Sequence, residues 1–259
     1  MKLNHKILGS GPPLIILHGL FGMLDNWRTV ARMMEGKFQC ILVDLRNHGK
    51  SPHSDVMNYK VMSEDILELM NTLSLPFAIV LGHSMGGKVA MQFALDHPDK
   101  VEKLIIVDIS PKQYPRHHDH VLNAIESIDP AKLPDRAEAE KNFRSHLAGD
   151  EATIQFLLKN LNRRHQGGFE WKGNMPVIIK EYDSLMEEIK SDKTFPKPTL
   201  VILGELSNSV RDEDWPGFQK LFPECQLVTI SKAGHWVHAD QPKAITEAIL
   251  TFTGSGLNA

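Results

Sequence analysis

A serine hydroxyl becomes a strong nucleophile only when a base takes its proton, and that base needs an acid to orient it. Three stretches of the chain hold residues of the right types. The first is Gly82-His83-Ser84-Met85-Gly86, a G-x-S-x-G pattern that follows the apolar run 78–81. After it, Val89, Ala90, Phe93 and Ala94 fall on one face of a helix. A strand that turns at once into a helix holds the middle residue strained and exposed, and glycines on either side leave room for the turn. Ser84 is therefore read as the nucleophile. The competing reading is a glycine-rich turn that merely joins strand to helix.

The base should come late in the chain. Ala233-Gly234-His235-Trp236 lies between the run 227–230 and a helix starting near Pro242. The chain has 13 histidines, so a lone one means little. Position and small neighbours single out His235, while His238 reads as a packing or surface residue and His18 as a brace for its loop.

Two loops compete to supply the acid. The run 200–204 leads into Glu205-Leu206-Ser207-Asn208, with a serine where an aspartate commonly stands. Asp212 and Asp214 further on suit the start of the next helix, where acids favour the dipole. Asp108, by contrast, closes the apolar run 105–107, and a charge there is costly without a partner. Asp108 is taken as the acid, with Ser207 as an auxiliary hydrogen-bond partner. The alternative is that Asp108 caps a turn through Ser110. For the oxyanion, the backbone N–H groups of Met85 and of Leu20, in Leu17-His18-Gly19-Leu20-Phe21-Gly22, are the expected donors. Asp25 or Asn26 is expected to cap the helix through Trp27 and Val30. Phe21, Phe156, Trp171 and Trp236 are candidates to line the substrate pocket; Phe156 and Trp171 equally suit packing of a cap onto the core.

These residues need a frame. Apolar runs at 14–17, 40–44, 78–81, 104–108, 200–203 and 227–230 alternate with helix-period segments, as in a parallel sheet covered on both faces. Residues 2–8 alternate more and read as an edge strand before Gly9-Ser10-Gly11-Pro12-Pro13. Met62, Ile66, Leu69, Met70 and Leu73 form a helical face, as do Ile245, Ala248, Ile249 and Phe252. The rhythm breaks over 111–196, which turns polar and helical. The expected architecture is an α/β core of about seven mostly parallel strands, built from 1–110 and 197–259, with 111–196 inserted as a helical cap. The run 154–161 is expected to be one cap helix, and the tail 254–259 to be mobile.

Composition narrows the class. The chain has 259 residues, is 42% hydrophobic and 24% charged, and carries a formal net charge of −3. Nothing marks it for nucleic acid or an anionic membrane. No apolar run reaches spanning or signal-sequence length, and Cys40 and Cys225 read as free core thiols, so the cytoplasm is the expected compartment. In Arg116-His117-His118-Asp119-His120, adjacent helical side chains diverge and cannot close a metal shell, so a solvated helix start is expected and no metal. Lys159, Arg163, Arg164 and His165 could meet the phosphates of a CoA-like substrate, but an ordinary charged helix face is the preferred reading.

The chain resembles the α/β-hydrolase superfamily, and within it the small bacterial YbfF-type esterases, related to ABHD-type hydrolases. The resemblance runs nearly end to end. It rests on His18-Gly19-Leu20-Phe21-Gly22, on Asp44-Leu45-Arg46-Asn47-His48-Gly49-Lys50-Ser51-Pro52, on Gly82-His83-Ser84-Met85-Gly86-Gly87-Lys88 and on Ala233-Gly234-His235-Trp236-Val237-His238-Ala239. It implies Ser-Asp-His chemistry with the acid after the sixth strand, in agreement with Asp108. It also implies hydrolysis of short- to medium-chain acyl esters. The acyl-enzyme chemistry needs no cofactor, and a monomer or homodimer is expected. One departure is that a single strand precedes Leu14, so the usual N-terminal hairpin looks truncated. An acyl-CoA thioesterase is the alternative; a lactonase or amidase, a C–C bond hydrolase and a ligand receptor on the same scaffold are further rivals. Dehalogenases and epoxide hydrolases of this fold use a carboxylate nucleophile, which Ser84 disfavours.

Overall fold

The computed structural model describes residues 1–254; the tail expected to be mobile lies, from residue 255 on, outside the described residues. The chain opens with β1 (His5–Leu8) and β2 (Pro13–Leu17), then α1 (Arg28–Met34) and β3 (Gln39–Val43). Next come α2 (Tyr59–Thr72), β4 (Ala78–His83), α3 (Met85–Asp96) and β5 (Val101–Val107). The Asn58 side chain accepts the Val61 N–H at 3.0 Å and so starts α2, whose Met62, Ile66, Leu69 and Met70 are buried as their spacing requires.

Between β5 and the next core strand lie α4 (Asp119–Glu126), α5 (Arg136–His146) and α6 (Glu151–Leu158). They are followed by the hairpin β6 (Leu161–Arg163) and β7 (Phe169–Trp171), then α7 (Met175–Lys180) and α8 (Tyr182–Met186). The chain returns with β8 (Thr199–Gly204), α9 (Trp215–Leu221), β9 (Cys225–Ile230), α10 (Val237–Asp240) and α11 (Pro242–Thr253). Proline, whose missing N–H is no loss in a first turn, begins α11.

Seven strands form one sheet in the order β1-β3-β2-β4-β5-β8-β9. Only β1 runs antiparallel, against β3; every other pairing is parallel. Strands β2 and β4 are buried along almost their whole length, as in a sheet covered on both faces. One face packs on α1 and α11 through Trp27, Val30, Ile245 and Ile249. The other packs on α2 and α3, and its apolar cluster continues into 111–196 through Val121, Phe143, Leu157 and Tyr182. The inserted segment therefore shares the core's apolar cluster.

Three local expectations need correction. The segment 111–196 contains a β-hairpin, and α6 stops at Leu158 so that Leu161 falls in β6. Those strands are three residues each and too short to print a period on the sequence. The run 227–230 is not buried on both faces, because β9 is the edge of the sheet; Leu227 is 45% exposed and Cys225 half-buried. Finally, Asp25 and Asn26 lie inside a 3-10 turn (Leu24–Trp27) instead of capping a helix. The Asn26 side chain accepts the Met23 N–H at 2.6 Å.

Candidate active site

The turn after β4 sets the site. Ser84 adopts φ 52°, ψ −123°, a region disfavoured for residues with a side chain, between the strand end at His83 and the helix start at Met85. A Cβ on Gly82 would sit 2.0 Å from the Gly86 carbonyl oxygen, and one on Gly86 would sit 2.4 Å from that of His18. Both positions must therefore be glycine. Phe21 and Asp108 also hold positive φ, at 58° and 53°. Three strained residues meet where the parallel strands end.

His235 reaches Ser84 from a loop 151 residues away. The Ser84 hydroxyl donates to Nε2 at 3.1 Å, and His235 Nδ1–H donates to Asp108 Oδ2 at 2.7 Å. Asp108 is fully buried just past β5; its carboxylate also accepts the Gly204 N–H at 3.0 Å and the Ser207 hydroxyl at 2.5 Å. Thus the loop after β8 delivers a hydroxyl to the carboxylate, which itself arrives from β5 and meets the histidine. Ser110 does not bond to Asp108; its N–H donates to the Tyr114 hydroxyl. Asp212 and Asp214 lie in a 3-10 turn before α9, and Asp214 pairs with Lys112 at 2.6 Å.

Among the described residues, neither the Leu20 nor the Met85 N–H donates to a protein acceptor, which leaves both for an oxyanion. Met85 heads α3, where N–H groups have no intrahelical partner. The Leu20 turn is held from three directions. His18 donates Nδ1–H to Gly19 O and accepts the Leu45 N–H on Nε2; His48 Nε2 accepts the Phe21 N–H; Asn160 Nδ2 donates to Phe21 O at 2.8 Å. Burial keeps these histidines neutral, lowering His18 to about 4 and His48 to about 3. A proton on Nε2 would destroy the acceptor that each bond needs.

His83 donates Nε2–H to the His235 carbonyl at 2.8 Å, so the residue before Ser84 fastens the loop of His235. His238 is buried, stacks on Trp27 at 4.4 Å between ring centres and is lowered by desolvation to about 3, which makes it a packing residue. Arg46 is buried in a paired contact with Asp65 and structures the loop that carries His48.

Two cavities meet at Ser84 and His235. One, of about 90 Å³, is lined by Phe21, Trp27, Phe156, Leu157 and Trp236. The other, of about 270 Å³, is lined by Tyr59, Met85, Lys88, Tyr114 and Met186. Phe21, Phe156 and Trp236 thus stand beside the serine, with Phe156 and Trp236 in contact at 5.3 Å between ring centres. Trp171 does not: it stacks on Phe143 within the inserted segment and lines neither cavity. His118, placed by sequence in a solvated helix start, precedes α4 and lines both cavities, with Nδ1 2.8 Å from the Tyr182 hydroxyl. Its burial lowers it to about 3. Lys88 is also buried; it donates to Lys112 O and Glu187 O, and desolvation lowers it to about 7 against the opposing pull of Glu188 and Glu187. The sequence alone assigns no role to His118, Lys88, Tyr114, His83 or Ser209; His83 and Lys88 stand within the motif around Ser84, and Ser209 two residues beyond Ser207.

A family model described as the alpha/beta hydrolase fold matches residues 12–242. The chain belongs to the α/β-hydrolase fold family. Esterase YbfF of Escherichia coli is 36% identical to this α/β-hydrolase over 97% of the chain and 99% of that protein. The sn-1-specific diacylglycerol lipase ABHD11 of Danio rerio is 36% identical over 94% of the chain and 79% of its own length. A solved structure titled marine microorganism esterase superposes with a TM-score of 0.94 at 42% identity, covering 97% of this chain and 99% of that one. No helix among the described residues of this α/β-hydrolase is long and apolar enough to cross a membrane.

Proposed function

We propose that this α/β-hydrolase is a serine carboxylesterase acting on short- to medium-chain acyl esters. Ser84, His235 and Asp108 form its triad, Leu20 and Met85 its oxyanion hole, and Ser207 an auxiliary bond to the acid. The reading is carried by one observation, the continuous hydrogen-bond path from the Ser84 hydroxyl through His235 to Asp108 beside two unengaged N–H groups. The names of the relatives, an esterase and a lipase, support ester cleavage.

His235 Nε2 takes the Ser84 proton as Oγ attacks the acyl carbon. The negative charge on the carbonyl oxygen falls between the Leu20 and Met85 N–H groups, where prearranged donors in a dry site contribute most. Protonated His235 gives its proton to the leaving alcohol, and an acyl-enzyme remains. Water, deprotonated by the same nitrogen, attacks the ester carbon and releases the acid. Residues 1–110 and 197–259 form the catalytic core in this scheme, and 111–196 its cap. Phe21, Phe156 and Trp236 contact the substrate, with the two cavities dividing acyl and alcohol portions.

The groove beyond Phe156 and Trp236 holds Lys159 together with Asp25 and Asp240, a mixed charge that does not favour a phosphate-bearing leaving group over a plain alcohol. Two free thiols suit the reducing cytoplasm, and a monomer or homodimer is proposed, to be read by sedimentation. A fluorophosphonate should label Ser84 stoichiometrically and fail to label Ser84→Ala. Absence of label on the folded wild-type protein refutes the reading. A panel of p-nitrophenyl esters and acyl-CoAs of graded length then sets chain length and separates ester from thioester.

A further inference from the structure

Ser209 stands against the catalytic histidine. Its Oγ lies 3.0 Å from His235 Nδ1 and 3.1 Å from Ser207 Oγ, and its N–H donates to Ser207 Oγ at 3.2 Å. The hydrogens of this cluster can be assigned by counting. Ser207 has one, and it is spent on Asp108 Oδ2. The contact between the two serines must then be donated by Ser209, which leaves Ser209 Oγ as an acceptor toward His235. A Ser209 hydroxyl donating to Nδ1 would need that nitrogen bare. The bare nitrogen would face the Asp108 carboxylate, and the proton would sit on Nε2, which must receive the Ser84 proton. One arrangement satisfies every group: Nδ1–H is shared between Asp108 Oδ2 and Ser209 Oγ, and Ser209 donates to Ser207, which donates to Asp108.

Ser209 is in turn held from the cap. The Tyr114 hydroxyl donates to the Ser209 carbonyl oxygen at 2.6 Å and accepts the Ser110 N–H at 2.9 Å. Tyr114 lies on the stretch of chain that leads from β5 into α4. Its ring lies under the Lys88 ammonium, 5.0 Å from the ring centre, and that ammonium bonds the carbonyls of Lys112 and Glu187, one at each stem of the cap. Both stems and the nucleophile helix α3 are therefore fastened where Tyr114 grips Ser209.

Resting on the triad reading above, we propose that Ser209 is a positioning residue for His235, and that Tyr114 sets Ser209 so that the seating of the cap is transmitted to the catalytic base. The second acceptor limits rotation of the imidazole about its bond to Asp108 and shares the charge on Nδ1–H when the ring is protonated in the transition state. The effect is on turnover and leaves ground-state binding unchanged.

The test compares Ser209→Ala, Ser209→Thr, Tyr114→Phe and the Ser209→Ala/Tyr114→Phe double variant on one p-nitrophenyl ester, with Ser84→Ala alongside. Losing one hydrogen bond of ordinary net strength in the transition state lowers kcat about three- to tenfold. Ser209→Ala should show this with KM unchanged and with a shifted low-field NMR resonance of the His235 Nδ1 proton. Ser209→Thr, which keeps the hydroxyl, should restore both. Tyr114→Phe should lower kcat similarly, and the double variant should fall no further than the worse single one. Wild-type kcat and an unmoved resonance in Ser209→Ala overturn the proposal, as does a double variant whose losses multiply. If Ser209→Ala does not fold, the resonance and kcat of Tyr114→Phe decide. Should Ser84→Ala keep its activity, the triad reading fails; should Ser84→Ala be dead while Ser209→Ala matches wild type, only this inference fails.

Discussion

The sheet core and the inserted segment 111–196 meet at Ser84 but are built differently. On the core side, the groups of the proposed triad sit at or just past the ends of parallel strands, β4 for Ser84 and β5 for Asp108, and the loop of His235 is bolted to His83. Strain is present there and is held by close-packed backbone, as the glycines at 82 and 86 require. In the inserted segment, the short helix α6 presents Phe156 and the turn before α4 presents His118 to the cavities. Its outer face is held by exposed ion pairs such as Arg144 with Glu140 and Glu151. The contrast teaches a division of labour: the ends of the parallel strands place the atoms proposed to make and break bonds, while residues 111–196 supply walls of the cavities beside them.

Perturbations should sort accordingly. Asp108→Asn should lower kcat about 10⁴-fold, because an amide presents the wrong partner to Nδ1 and the imidazole takes the other tautomer. A loss below tenfold in steady-state turnover would put the acid elsewhere. Phe156→Ala removes a half-buried ring from the smaller cavity and should raise KM several-fold, up to about tenfold, with kcat within twofold, as expected for uniform binding. A kcat loss as deep as that of Asp108→Asn would erase the division.

Acid should act mainly through the core. His18, His48 and His238 are held by burial at about 4, 3 and 3, below the ordinary histidine value of 6.5. The unfolded chain therefore binds more protons than the folded one below pH 6.5. Stability is full above that value and falls as pH drops toward 4, by about 1.4 kcal/mol per pH unit for each such histidine. Denaturant melts across pH 4–7 measure the slope, and His238→Phe, which keeps a ring against Trp27, should reduce it by one proton. An unchanged slope would show that His238 already titrates in the folded state. Arg144→Ala, at the other extreme, should leave Tm and kcat unaltered, since both its partners are exposed pairs in solvent.

The same division governs what could be read from the residues alone. Ser84 and the two glycines were legible because a nucleophile turn needs a fixed local spacing. Asp108 was legible because a carboxylate closing an apolar strand demands a partner. Sheet strands and the helices α2, α3 and α11 declared themselves through burial periods. Nothing local announces that His83 will fasten His235, or that Tyr114 will reach Ser209 from 95 positions away. His118 sits in a polar stretch like any solvated one, and it is covered by residues distant in sequence, Tyr182 among them. Trp171 stood open between two uses for the converse reason: an aromatic residue in such a segment looks the same whether it meets substrate or, as here, Phe143.

The bond between Ser84 and His235 spans 151 residues, and this separation has a meaning in time. A ribosome delivers Ser84 long before it delivers the base, and the sheet cannot receive β8 and β9 until the whole cap has been made. For that interval the serine is an ordinary alcohol without His235 to take its proton, inert toward the esters around it. On the proposed triad, Ser84 gains its base only after the last strand docks, so it becomes able to accept an acyl group at the moment the same histidine can activate the water that removes it.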